Sequence, residues 1–127
     1  MIMLDTSFIY AFFYEKDFHH KDVIQTLKKL DGEILFTPIE VVQELLTVVT
    51  RKFSSEEAIK IGKLIMSEDS WILIFKSHEA DFEHGWKVFQ KMSPHKFSFV
   101  DSLLIGIAKN GDNSVLTFDK EILKVLS

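Results

Sequence analysis

Short apolar runs alternate with longer amphipathic stretches along this chain, and that alternation constrains the fold more than any other feature. Residues 2–4, 33–37, 71–75 and 114–117 read as strands, the run Trp71-Ile72-Leu73-Ile74-Phe75 as one buried on both faces. Between them apolar residues recur at helical spacing: Val23, Leu27 and Leu30; Phe82, Trp86 and Phe89; Val100, Leu103, Leu104 and Ile107. Helices are expected over residues 6–14, 19–30, 38–51, 55–67, 79–92 and 98–109, with a last short one opening at Asp119. Pro38 suits the first turn of its helix, where an N–H has no intrahelical partner. Asp31-Gly32 and Gly111-Asp112-Asn113 read as turns, and Ser93-Pro94 ends the fifth helix. A strand–helix alternation of this kind builds a parallel sheet covered by helices, and ligands then bind beyond the carboxyl ends of the strands.

The chain has 127 residues, two prolines, five glycines and no cysteine. With no linker-like or repeated tract, residues 1–127 are expected to form a single domain. The absence of cysteine excludes disulfides and thiolate metal sites. The start, MIMLDTSFIY, lacks the basic and long apolar regions of a signal peptide, and no window approaches a membrane span. A cytoplasmic protein is expected. Its net charge of −4 counts against a nucleic-acid binder that works by basic surface alone.

The first and fourth strands each end in an aspartate, Asp5 and Asp119. Asp101 and Glu44 could reach the same sheet edge from helices. Four carboxylates brought together repel one another, so burying them jointly makes sense around cations. Hard Mg²⁺ or Mn²⁺ takes carboxylate oxygens and water, and two such ions about 3.5–4 Å apart can drive phosphodiester hydrolysis. Setting these four acids aside leaves acidic and basic residues equal in number.

Each acid also has a plain structural reading. Asp5 and Asp119 could cap helices, and Asp101, three residues after Ser98, could close a capping box. Glu44 lies on a polar stripe with Glu40, Thr47 and Arg51 that could be a solvated helix face. The five histidines, His19, His20, His78, His84 and His95, show no zinc spacing and read as surface or capping residues. Lys87, Lys91, His95 and Lys96 form a modest basic stretch that could hold RNA phosphates or simply face solvent. Phe8, Phe12 and Phe13 are candidates for a dimer or partner surface.

Taken in order, four segments resemble the PIN-domain family. Met3-Leu4-Asp5-Thr6-Ser7 is similar to the family's apolar strand followed by Asp-Thr-Ser. PIEVVQELLT, residues 38–47, resembles the helix carrying the family's glutamate and selects Glu44, followed by leucine, over Glu40. FSFVDSLLIGIAK, residues 97–109, resembles the Asp-bearing helix. Val115-Leu116-Thr117-Phe118-Asp119 resembles the closing strand with its Thr-x-Asp end.

The resemblance spans nearly the whole chain. It implies a PIN-like three-layer α/β sandwich whose parallel sheet has four strands, with a fifth allowed, in the order 3-2-1-4. It implies a Mg²⁺- or Mn²⁺-dependent endoribonuclease similar to VapC-type toxins of prokaryotic toxin–antitoxin systems. By the same resemblance Asp5, Glu44 and Asp101 hold the metal, Asp119 assists, and Thr6, Ser7 and Thr117 orient carboxylates or water. Glu121 stays outside the core set. An RNA substrate, an antitoxin partner and a homodimer are implied as well. The competing readings are a housekeeping RNA-processing nuclease of the same fold and a non-catalytic α/β binding module. An aspartyl-phosphate acceptor would need an acidic pair after the first strand, and here Thr6-Ser7 follows Asp5.

Overall fold

Met3 and Leu4 are fully buried, because the strand that carries them, β1 (Ile2–Leu4), has neighbours on both sides. The computed structural model describes residues 1–93 and 96–127. Pro94 and His95, assigned above to a helix end and a basic stretch, lie outside the described residues. After β1 come α1 (Thr6–Phe13), α2 (His20–Lys29), β2 (Leu35–Pro38), α3 (Ile39–Lys52) and α4 (Ser55–Ile65). Then follow β3 (Leu73–Phe75), α5 (Glu79–Lys91), α6 (Phe99–Gly111), β4 (Ser114–Leu116) and α7 (Lys120–Leu126). All the strand pairs are parallel, in the order β3-β2-β1-β4. The expected α/β sheet and strand order are therefore observed. Because β4 lies on the opposite side of β1 from β2, the order reverses between β1 and β4. The crevice of such a sheet opens there.

The third strand departs from expectation. It spans Leu73–Phe75 at the sheet edge, and Leu73 is 57% exposed, so it is not buried on both faces. Only Ile72, just before it, is buried. An apolar run reads alike at the centre and at the edge of a sheet, and topology decides which it occupies. Pro38 also differs. It ends β2 with ψ 150°, an extended conformation, and serves as the N-cap of α3 rather than lying inside its first turn.

The helices pack among themselves as two groups, α1 to α4 and α5 to α7, about the sheet. Residues Ser102 to Ala108 of α6 are all buried, more than one amphipathic face would place inward. Glycine explains the closeness. A Cβ on Gly85 would meet the Leu103 Cα at 3.1 Å, and one on Gly106 would meet the Gly85 backbone nitrogen at 3.2 Å. The α5 and α6 backbones thus touch where both side chains are missing. The N-terminal Phe residues settle inward: Phe8 is buried and stacks on Phe118, and half-buried Phe12 packs on Trp71 and Phe13. Phe8 therefore cannot form an exposed partner surface. The exposed aromatic face lies on α5 instead, at Phe82, Trp86 and Phe89.

Candidate active site

Asp5 is 4% exposed at the end of β1 and is the N-cap of α1. Its Oδ1 accepts the Thr6 N–H at 2.6 Å, and its Oδ2 accepts the hydroxyls of Thr117 at 2.6 Å and Ser7 at 3.2 Å. Thr117, at the end of β4, also accepts the Asp119 N–H at 3.0 Å. One hydroxyl therefore links the ends of the two strands that meet at the switch point. Ser7 makes a similar link, accepting the Phe118 N–H at 3.1 Å. Asp119 caps α7 through its Oδ1, which accepts the N–H groups of Glu121 and Ile122. Asp101 sits in a reciprocal capping box with Ser98 at the start of α6. The fourth acid, Glu44 in mid-α3, accepts the Thr6 hydroxyl through its Oε2.

The capping readings of Asp5, Asp101 and Asp119 are thus correct, and they leave room for a second role. Each helix needs only one carboxylate oxygen. Among the described residues, Oδ1 of Asp101, Oδ2 of Asp119 and Oε1 of Glu44 accept no hydrogen bond. All four acids line one cleft of about 500 Å³, together with Thr6 and Ser7. Thr117 stands behind them, holding Asp5 from below the cleft lining. The polar stripe of α3 divides accordingly. Thr47 and Arg51 are exposed, Glu44 turns to the cleft, and Glu40 accepts a hydrogen bond of 2.5 Å from Ser77.

Electrostatics tie the acids together. Burial pushes the Asp5 carboxyl above its usual pKa. Hydrogen bonds from Thr117, Thr6 and Ser7 oppose that rise, and the negative charge of Glu44 adds to it. Burial likewise raises Asp101, opposed by the Ser98 hydrogen bonds and reinforced by Asp5 and Asp119. A raised carboxyl pKa means that the group's contribution to stability is fully present below the ordinary value, 3.8. That contribution is lost as pH climbs through the raised value. In chelator, Asp5→Asn, which keeps the cap, should therefore melt above wild type at neutral pH, with the gain shrinking toward about pH 4. Thermal melts across that range check this; a gain that grows on acidification would contradict the electrostatic picture.

The residues suit a hard divalent cation in type, since carboxylate oxygens are its preferred donors and three of them are unengaged. As placed, no three His, Asp or Glu side chains among the described residues already stand in metal-holding geometry. Side-chain rotation about fixed caps would have to complete a ligand set.

The cleft also contains residues that the sequence did not single out: Tyr10, Asp17, Val48 and Lys52. His19, read as surface or capping, enters the wall too, stacked on Phe118 with ring centroids 3.9 Å apart. Lys96 lines both this cleft and an adjoining hollow of about 330 Å³. Glu121 reaches that hollow but not the cleft, and pairs with Lys124 at 3.7 Å. Lys52 and Tyr10 carried no signal, because nothing in their spacing ties them to acids on other elements.

A parallel α/β sheet with acids gathered in one cleft at its switch point defines a class of ligand-binding domains. Within that class the assignment is specific: the PIN domain family matches residues 2–126, and the chain belongs to it. Among solved structures it is similar to VapC20 of Mycobacterium tuberculosis, a Sarcin-Ricin loop cleaving toxin. The TM-score is 0.85 at 18% identity, over 98% of this chain and 94% of that one. It is similar also to VapBC2 from Rickettsia felis bound to a DNA fragment from their promoter, at TM-score 0.72 and 14% identity, over 98% and 93% of the chains. A third similarity is to FitAcB from Neisseria gonorrhoeae, at TM-score 0.68 and 18% identity, over 98% and 92%. No curated protein sequence matches. At these identities the likeness is one of fold.

Proposed function

We propose that this PIN domain is a divalent-metal-dependent endoribonuclease and the toxin of a toxin–antitoxin pair. The observation that carries the reading is the sharing of one cleft by Asp5, Glu44, Asp101 and Asp119, with an oxygen of each of the last three left unengaged. Asp5, Glu44 and Asp101 would hold the cation, with Asp119 as the auxiliary ligand. Mg²⁺ or Mn²⁺ bound there would supply an activated water and stabilise charge on the phosphate. Thr6 orients Glu44, while Thr117 and Ser7 orient Asp5, so that the carboxylates keep their places when charged. In the reaction, water oxygen bonds to phosphorus, the bond to the leaving oxygen breaks, and that oxygen takes a proton.

The toxin assignment rests on the fold shared with VapC20 and with the VapBC2 and FitAcB proteins. It brings with it an antitoxin partner and a cytoplasmic location; among the described residues no helix is long and apolar enough to cross a membrane. A housekeeping RNA-processing nuclease would use the same cleft, and a neighbouring reading frame for a small DNA-binding protein separates the two. The second reading, a non-catalytic binding module, is favoured by the fact that three of the acids already serve as caps.

Metal titration tests the choice. Millimolar Mg²⁺ or Mn²⁺ should raise the melting temperature by mass action, by several degrees at a hundredfold excess over Kd. A melt that neither ion moves would favour the binding module. The homodimer belongs to the same proposal, with the exposed Phe82 and Trp86 as its available apolar surface. Light scattering should give twice the chain mass of 14.7 kDa at micromolar concentration. A monomer would remove the dimer and leave the nuclease intact.

A further inference from the structure

The cleft poses an electrostatic problem for the substrate proposed for it. Five carboxylates line it, those of Asp5, Asp17, Glu44, Asp101 and Asp119, and RNA is a polyanion. A bound cation offsets this charge most at the phosphate it contacts and less at the phosphates on either side, since the attraction weakens with distance and with salt. Some other positive group has to hold those. Among the described residues, two lysines line the cleft, Lys52 and Lys96.

Their placement is not that of structural ion pairs. The described salt bridges are Lys60–Glu57 and Lys124–Glu121, and neither cleft lysine takes part in one. Lys52 ends α3, two turns beyond Glu44, and its ammonium lies 5.0 Å from the centre of the Tyr10 ring, which also lines the cleft. That cation–π contact steadies the side chain without neutralising its charge. Lys96 precedes the Ser98 cap of Asp101 in the connection between α5 and α6. It alone of the two borders the adjoining hollow, which also reaches Asp101 and Asp119. The two lysines therefore reach the cleft from different elements, Lys52 from the end of α3 against Tyr10 of α1, and Lys96 from the α5–α6 connection, where it shares the hollow with Asp101 and Asp119.

We infer that Lys52 and Lys96 are the phosphate-positioning residues of this cleft, holding a single-stranded RNA backbone on either side of the bond that is cut. The inference rests on the nuclease reading above and adds the path of the substrate: from the Tyr10–Lys52 wall, across the acids, into the hollow beyond Lys96. A single strand is the substrate proposed, because both contacts are then made to one backbone within one cleft. Point charges on flexible stems suit phosphate without reading sequence.

The test is steady-state cleavage of a fluorogenic single-stranded RNA in Mn²⁺, at several salt concentrations. Lys52→Gln and Lys96→Gln should each raise KM by roughly five- to tenfold with kcat within about a factor of two. Each should also flatten the dependence of log KM on log salt by about 0.7, the value for one single-strand phosphate contact, and the double variant by about twice that. Lys52→Arg and Lys96→Arg should restore both readings, and Lys63→Gln, exposed on α4 and outside the cleft lining, should change neither. The Mn²⁺-induced rise in melting temperature should persist in every lysine variant, which separates lost phosphate contact from a damaged fold. Unchanged KM and salt slope in an active enzyme would overturn the inference and leave the nuclease standing. A fall in kcat at constant KM would overturn it as well. If wild type cleaves no RNA with any divalent metal, the nuclease reading fails and takes this inference with it.

Discussion

Asp5→Asn and Asp101→Asn are each expected to lower RNA cleavage by roughly three orders of magnitude, the scale on which an essential electrostatic group acts. The double variant should be scarcely worse. Groups that jointly hold one cation serve one transition state, so their losses do not add. The structure makes asparagine the informative replacement. Both residues cap helices through a single oxygen, and asparagine caps about as well as aspartate. The exchange therefore removes charge and spares the fold, and a melting temperature in chelator no lower than wild type's confirms that it has done so. Glu44→Gln should be comparably damaging.

Asp119→Asn should cost less, on the order of tenfold, as befits an auxiliary ligand. Glu40→Gln should stay near wild type, because Glu40 is held by Ser77 outside the cleft lining. The readout is cleavage rate against Mn²⁺ concentration. Full activity in Asp5→Asn, or cleavage by wild type without divalent metal, would end the mechanism. A dead Glu40→Gln beside an active Glu44→Gln would move the glutamate ligand by one helical turn.

The second large effect concerns the seat of α6. Helix propensity alone would make any residue but proline stabilising at Gly85, alanine by about 1 kcal/mol. The structure predicts the opposite for a bulky side chain. A Cβ there already stands 3.1 Å from the Leu103 backbone, and backbone cannot rotate away. Gly85→Val should destabilise by about 3 kcal/mol, the upper range for overpacking. For a chain of this size that lowers the melting temperature by about 10 °C. Because α6 carries Asp101, pushing it aside should also shrink the stabilisation by Mn²⁺. A Gly85→Val protein that melts like wild type would mean that the two helices are not in backbone contact.

The periodicity of the sequence determined the elements and their order. Main-chain hydrogen bonding must be satisfied locally, and buried faces leave a regular apolar trace. The ends of β1 and β4 were legible for the same reason, since an apolar run that stops at an acid marks both a strand end and a helix cap. Asp5 and Asp119 could be found in this way, whereas Asp101 was marked by its spacing from Ser98 and by the family resemblance. Glu44 was separated from Glu40 only by its resemblance to a family pattern; tertiary structure gave the physical difference, one acid turned to Thr6 and the other to Ser77.

Only tertiary structure decided what depends on groups distant in sequence. The edge position of β3 came from strand order, and the burial of α6 from Ser102 to Ala108 came with Gly85 meeting Gly106 across two helices. The inward turn of Phe8 depended on Phe118, and the entry of Tyr10, Asp17 and Lys52 into the cleft depended on acids from other elements. Local pattern records which side of an element is buried. It does not record against what, because that is set by how a closed chain packs all its apolar surface at once.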